Sequence, residues 1–593
     1  MVAVLRRIST GFLALLATAP FSAAYQQTRN VGTDPKSGIV IEVDEPFTGS
    51  PCTGFLPIHV KVANASRQGH VWTVDFIETE MRNGNWRHRE KIAAGAGEER
   101  EYDLLIPQCS LFSANSGYYG CSLHFSGYGV GANPVIELSS SYRGGYSSAF
   151  ILMSDTLARD AWSAVESEVK GRSPAYSDPF TVARIGSSGS RSLEGSKVKL
   201  SELPPDPRAF SSAAGLWLSE SDWRGLDAPL RNAICQWLAD GGNLFVACDN
   251  DPKGTLASLP SLQGSEVPIP VGFGVVRSVP FNESHALNAY STAKHILALD
   301  SSPLPRWEED FKGPWPLMEK IGAPGINLPA VIGFVVVFAV AVGPLNLLWF
   351  ASQRRRHRLF LTTPLLSLSG CVALAVCILL GDGTGANGRR NALVLMPAGE
   401  NRLSIVQEQV CRTHLLLGNA FQLGEDANLA TLAPNHGDRS LERSGTTVRG
   451  DWFRSRETST QLLQASTPTR ASVVLQAPEN GAPVLLSSAA ATFPEIFYID
   501  QAGKYWHGAD LTPGRPQKLE SSTHVAYNAW RRTETDEFSS GLQQLFTTVS
   551  NRNGYFYAVA EGLPEAPITT LPSIRWDRQT VICFGACTAP HAP

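Results

Sequence analysis

LPAVIGFVVVFAVAVGPLNLLWF (residues 328–350) and LFLTTPLLSLSGCVALAVCILL (residues 359–380) enclose the short basic turn ASQRRRHR (residues 351–358). Each apolar run has about the 20 residues that carry a helix across a bilayer. The pattern predicts a two-helix transmembrane hairpin with a cytoplasmic loop over 351–358. Arg354, Arg355, Arg356 and Arg358 set that orientation, because positive charge in short loops stays on the inner side. Everything before residue 328 and after residue 380 then faces the opposite compartment. Neither run holds an Asp, Glu, Lys or Arg, and proton relays and ion paths need such groups; the hairpin reads as an anchor. Gly343-Pro344 predicts a kink in the first helix. Asn346 sits at the depth of Thr362 and Thr363, which predicts a hydrogen bond between the helices. Trp307 and Trp315, just before the first helix, are expected at the headgroups.

The N-terminus agrees with this topology. Arg6 and Arg7 precede the apolar stretch Ile8–Pro20, and Ser22-Ala23-Ala24 supplies the small residues of a cleavage site. Residues 1–24 are therefore expected to be a signal peptide, exporting the chain from Tyr25 to Asn327. A net charge of −4 over 593 residues offers no basic field for nucleic acid. Among ten cysteines, Cys371 and Cys377 lie in the second apolar run as fillers. In an exported, oxidising setting, Cys109 and Cys121 are candidates for a disulfide, as are Cys583 and Cys587, while Cys52 leaves the connectivity open. Neither cluster has the spacing of a zinc site, and no metal or cofactor is expected.

Residues 25–147 read as a β-sandwich. Ile39–Val43, Leu56–Val62, Val71–Phe76, Asp103–Pro107 and Cys121–Phe125 are short apolar or alternating runs separated by turn residues. The glycines of Gly127–Gly131 lack the Lys-Ser/Thr ending of a phosphate loop and read as a surface loop. From residue 148 to 300 the pattern becomes α/β. Phe150–Met153 and Gly215–Leu218 are buried-strand runs, and Leu157–Lys170 has a helical apolar face. Asp227 is placed to cap a helix that has Pro229 in its first turn and Gly241 at its stop. Leu230, Ala233, Ile234, Trp237 and Leu238 form one stripe of that helix. Asn243–Cys248 then runs as a strand apolar on both faces, so strand, helix and strand make a right-handed crossover unit.

The segment Leu216-Trp-Leu-Ser-Glu220 with Gln236-Trp-Leu-Ala-Asp-Gly-Gly-Asn-Leu-Phe-Val-Ala247 resembles the class I glutamine-amidotransferase-like fold, in the degenerate form found in exported bacterial membrane proteins. The order of parts is similar too: a β domain, this flavodoxin-like α/β domain, then Val342-Gly-Pro-Leu-Asn346 before a basic loop and a second membrane segment. The resemblance implies a protein of the cytoplasmic membrane associated with transport or envelope systems. An active member needs a cysteine on a glycine-flanked strand-to-helix elbow. Here the candidate is Cys248, without those glycines, and His285 and His295 follow in no spacing that makes a dyad. Asp249, Asn250 and Asp251 lie at the carboxyl edge of the expected parallel sheet, where open α/β folds bind ligands. They lack the distal Glu of an EF-hand loop, since Pro260 stands there.

Residues 301–327 read as a linker and 381–593 as an exported β-rich domain. Within it Gly381–Gly388 is a linker, and Asn391–Met396, Ala471–Gln476, Val484–Leu486 and Phe497–Asp500 are strands. Asn435–Thr447 is a loop, and Asp451–Arg456 and Lys504–Trp506 carry the aromatic anchors of a second sandwich. The fold class is a multidomain α+β membrane protein. The expected function is non-catalytic: an anchored envelope protein that binds other membrane or envelope proteins, as an accessory of a transporter or of envelope assembly. The alternatives are an exported hydrolase or amidotransferase-like enzyme using Cys248, and an envelope sensor.

Overall fold

The computed structural model describes residues 28–46, 54–80, 84–108, 119–131, 134–138, 149–154, 193–213, 215–248, 268–280, 315–321, 328–350, 359–382, 384–397, 401–431, 439–479, 481–560, 562 and 566–587. The signal peptide, the arginine turn, helix 157–170, Asp249–Asp251, Cys52, Cys109, His285, His295 and Trp307 lie outside the described residues. The described chain is strand-rich and forms several sheets.

The expected sandwich forms. A four-stranded sheet runs Arg29–Asn30, Ile39–Asp44, Phe55–Asn64, Glu99–Pro107. Alternation in Ile39–Asp44 points Ile39, Ile41 and Val43 inward, as a half-buried antiparallel strand requires. The facing sheet has seven strands, and three come from beyond the hairpin: Phe421–Gln422, Thr447–Gly450, Ser440–Ser444, Gly84–Ala94, His70–Glu80, Tyr119–Ser126, Val135–Glu137. Ser440–Ser444 pairs in parallel with Gly84–Ala94, Leu441 opposite Trp86. Two expectations are corrected by this sheet. Asn435–Thr447 is not all loop, and residues 381–593 are not a separate domain. Trp452 and Phe453 anchor the first sandwich rather than a second one, with Trp452 edge-on to Trp86 at 5.5 Å and Phe453 edge-on to Phe421. Burial of those rings drives the recruitment.

The α/β unit has five parallel strands in the order Leu193–Val198, Ala149–Ser154, Gly215–Ser219, Asn243–Cys248, Gly274–Pro280, with Ile269–Val271 antiparallel at the edge. By chain position the first four run second, first, third, fourth, the order of doubly wound sheets. Asp227 caps helix Ala228–Ala239 by accepting from the Leu230 amide at 2.9 Å, and Gly241 takes φ +122° just after it. The helix buries Leu230, Ile234, Trp237 and Leu238 against Leu216, Leu244 and Val246.

A nine-stranded sheet forms the C-terminal part, in the order Asn428–Thr431, Thr458–Pro468, Arg402–Thr413, Ala386–Leu395, Ile574–Ala586, Tyr555–Ala560, Phe493–Ile499, Tyr505–Leu511, Glu520–Ser521. Its two faces are buried by different partners. Leu393 and Leu395 meet helices His524–Glu534 and Ser540–Val549 through Tyr527, Trp530, Leu542 and Phe546. Ala392 and Val394 meet the small sheet that carries Val473 and Leu485. The expected linker Gly381–Gly388 is instead helix to Asp382 and strand from Ala386. Lys504 lies 3.9 Å over the Trp506 ring, beside the Asp500–Lys504 turn.

The first apolar run is helix over Leu328–Val340 and Asn346–Phe350, joined by a π-helical turn at Ala341–Leu345. That turn is the expected irregularity at Pro344, whose missing N–H cannot continue the ladder. Leu359–Asp382 is a helix of 24 residues. Ile332–Trp349 is the one described stretch of 18 residues long and apolar enough to cross a membrane; the shorter apolar helix is Leu359–Leu374. The two pack on each other. Asn346 Nδ2 donates to Thr363 Oγ1 at 3.0 Å, and Thr362 Oγ1 donates to Asn346 Oδ1 at 2.9 Å. A Cβ on Gly370 would lie 2.2 Å from the Phe338 ring, so glycine there admits the aromatic side chain. Away from this seam Leu348 and Phe360 are 83% and 88% exposed.

Candidate functional site

Both flanks of the helix pair end on one carboxylate. Lys320, on helix Pro316–Ile321 ahead of the first apolar helix, donates to Glu537 Oε1 at 2.8 Å. Arg389, on strand Ala386–Leu395 after the second, reaches Oε2 at 3.2 Å. Arg578 adds a third bond to Oε1 at 2.8 Å. The Glu537 side chain is 3% exposed. A β-bulge builds the site: the register between strands Ala386–Leu395 and Ile574–Ala586 slips after Gly388, so Arg389 faces Arg578. Like charges opposite each other repel, and Glu537 is the counter-ion that lets them stay. Burial pushes the Glu537 carboxyl up, but the Lys320 hydrogen bond and the charges of Arg578, Lys320 and Arg389 outweigh it and hold it below the usual glutamate range.

The carboxylate is itself held in place. Asn391 Nδ2 donates to the Glu537 carbonyl at 2.9 Å and to Glu408 Oε1 at 3.0 Å. Glu408 also accepts from the Ser539 amide at 3.0 Å, and Ser539 caps helix Ser540–Val549 through the Leu542 amide. Phe538 is buried between them. The helix that carries Lys320 is seated as firmly, because Trp315 and Leu317 lie in the core with Leu393 and Val410. Trp315, expected at the headgroups, is 1% exposed inside the protein; its ring fills a gap against the sheet instead.

The carboxyl edge of the parallel sheet is the second place where polar groups gather. Ser154 Oγ donates to Asp222 Oδ2 at 2.6 Å, and the same oxygen accepts from the Ser219 amide at 2.9 Å. Ser219 Oγ accepts from the Asp222 amide, completing a capping box for helix Glu220–Gly225. These bonds tie the ends of the first and third strands together at the switch point through Asp222. Cys248 is 2% exposed and is the last residue of its strand, opposite Pro280. The non-glycine residues with positive φ among those described are Arg456, Asp510 and Asn551, and Cys248 is not one of them. No group of three or more His, Cys, Asp or Glu among the described residues is arranged to hold a metal.

No family model and no curated protein matches the chain. Solved structures similar to parts of it include a yeast delta-COP-I mu-homology domain complexed with a Dsl1 WxWxV peptide, at 8% identity, covering 34% of this chain and 96% of that one, with a TM-score of 0.18. Another is the elongation factor SelB of Methanococcus maripaludis with a GTP analogue, at 7% identity, 65% and 81% coverage and a TM-score of 0.16. A third is a Paenibacillus cycloisomaltooligosaccharide glucanotransferase, at 9% identity, 74% and 70% coverage and a TM-score of 0.15. Likeness at this level carries no argument about fold or activity.

The cysteines are placed as follows. Cys121 is buried in strand Tyr119–Ser126. Cys583 lies inside strand Ile574–Ala586 and Cys587 one residue past its end. Four residues of extended chain span about 13 Å, beyond the reach of a disulfide. The expected Cys583–Cys587 bridge is therefore excluded by the strand that runs between them. Burial pushes the Cys587 thiol up to about 12. Glu537 escapes sequence reading because its partners Arg389 and Lys320 lie 148 and 217 residues away. The bulge that aligns the arginines has no local signature beyond Gly388.

Proposed function

We propose that this chain is a non-catalytic envelope protein, held in the cytoplasmic membrane by a two-helix hairpin, whose exported parts fold together and bind other membrane or envelope proteins. The observation that carries the reading is Glu537, which grips Lys320 before the apolar helices and Arg389 after them. The shared seven-stranded sheet makes the same demand, because Gly84–Ala94 and Ser440–Ser444 cannot pair across a bilayer. An even number of crossings between the flanks satisfies both. The basic turn at Arg354–Arg358 then faces the cytoplasm, and the exposed apolar surface of both helices faces lipid. The strand order is that of doubly wound sheets in general, a group to which the amidotransferase-like fold belongs together with many others. Binding is favoured over chemistry by the burial of Cys248 at the end of its strand and by the lack, in the sequence around it, of the flanking glycines that a nucleophile elbow needs.

Reporter fusions test the anchor. An alkaline phosphatase joined after Pro593 is expected to be active and one inserted at Ser352 inactive; equal activity at both sites would overturn the topology. Cross-linking of the full chain in native membranes tests the partner reading. It is expected to recover the same membrane or envelope proteins in repeated captures, and the absence of any reproducible adduct would sink it.

A further inference from the structure

We propose that the turn Leu415–Leu417 is a third contact with the bilayer, a loop tip that seats Leu417 among the lipid headgroups and the upper acyl chains beside the second helix. The inference rests on the anchor reading above. A single exposed leucine is ordinary on a protein surface; the position of this one makes the argument. The second helix ends at Asp382, and Thr384 already bridges Leu415. The Gly385 amide donates to the Leu415 carbonyl at 3.1 Å, and the His414 amide donates to the Gly385 carbonyl at 2.8 Å. Two residues of chain reach at most about 7 Å, so the turn lies at the level where the helix leaves the membrane. Leu417, two residues further on, is 89% exposed, more than Phe360 or Leu348 on the apolar helices themselves.

The turn is held in shape from behind. The Leu416 amide donates to Ser455 Oγ at 3.0 Å, and the Arg456 amide donates to the His414 carbonyl at 3.0 Å. Asn419 Nδ2 donates to the Gly450 carbonyl at 2.7 Å. A pre-shaped loop loses little conformational entropy on insertion. Arg456 and Arg575 are exposed along the same end of the sheet: Arg575 pairs with Asn387, and Arg456 joins the turn through His414. An apolar tip at an end of the protein that also exposes two arginines suits an anionic phospholipid surface.

The test uses the full chain reconstituted in phosphatidylcholine–phosphatidylglycerol vesicles. An environment-sensitive fluorescent amino acid is placed singly at position 417, at 348 in the first apolar helix, or at 71, where Val71 is exposed on the N-terminal sheet. Position 417 is expected to show blue-shifted emission and to lose intensity with shallow nitroxide-labelled lipid, as 348, two residues from the end of its helix, also does. Position 71 should be quenched by aqueous iodide alone. If 417 behaves like 71 while 348 stays lipid-quenched, the inference falls and the anchor stands. If 348 too is quenched only by iodide, both fall. A photocrosslinking residue at 417 in native membranes gives lipid adducts on this account; protein adducts in their place would overturn it.

Discussion

Glu537 shows how much a single buried carboxylate decides. Glu537→Gln leaves Lys320, Arg389 and Arg578 facing one another without a counter-charge. Removing one partner of a fully buried ion pair costs about 3–5 kcal/mol. Lys320 and Arg578 are nearly half exposed, so solvent screening reduces the loss to about 2 kcal/mol, readable as a lowered denaturation midpoint of the detergent-solubilised protein. The pH dependence has a definite sign. A carboxyl held below its unfolded value contributes stability in full above that value, about 4.3 for glutamate. It loses that stability as pH falls through the lower folded value. The native protein should therefore weaken on that acid limb more steeply than Glu537→Gln, and parallel limbs would contradict the clamp. Two thiols make a separate prediction at this scale. With Cys587 raised to about 12 and no bridge to Cys583, maleimide at pH 8 should spare both in the folded protein. After denaturation without reductant both should be labelled; protection there would mean a disulfide after all.

The apolar helices give the sharpest prediction at the scale of elements. Asn346→Leu removes two hydrogen bonds between them, for a loss of about 1 kcal/mol. Gly370→Leu forces a side chain into the Phe338 ring, with the first added carbon already at 2.2 Å, and should cost more, about 2 kcal/mol. Melting both variants beside the native protein in the same detergent tests this; midpoints unchanged from the native one would mean the helices do not pack through this seam. The polar pair was legible in sequence because apolar runs make every polar residue conspicuous. So were the strands whose alternation is clean, such as Ile39–Asp44, and the helix framed by Asp227 and Gly241. Gly84–Ala94 was not, since Arg87, Arg89 and Lys91 interrupt it and its buried positions Trp86, His88, Ile92 and Ala94 include a histidine and a small alanine. Helices His524–Glu534 and Ser540–Val549 were missed inside a chain that otherwise reads as β. Their apolar faces hold mostly aromatic and branched residues, which suit strands as well.

Across the whole molecule, chain order and spatial order part company, because strands from residues 421–450 join the N-terminal sheet. A reader of local pattern sees a sandwich, an α/β unit, a hairpin and a second β region. Contacts ignore that order: Ser211 Oγ accepts from the Phe55 amide, Arg402 binds Asp240, and Arg552 donates to the Gly272 carbonyl. Gly272 has φ +56°, and a Cβ there would sit 2.4 Å from the Ala239 carbonyl oxygen, so the docking turn depends on glycine. The sandwich is incomplete without Leu441, Val448, Trp452 and Phe453 from beyond the hairpin. Export of residues 25–320 alone should therefore yield a protein that opens Trp86 to solvent and is rapidly proteolysed. Export of residues 384–593 in the same cells, as a separate chain, should restore its resistance, because the missing strands then arrive on the correct side of the membrane. Leu441→Asp in that second chain should abolish the rescue, since a carboxylate would enter the core opposite Trp86. A sandwich fragment that resists protease unaided would show that the three recruited strands are ornament rather than structure.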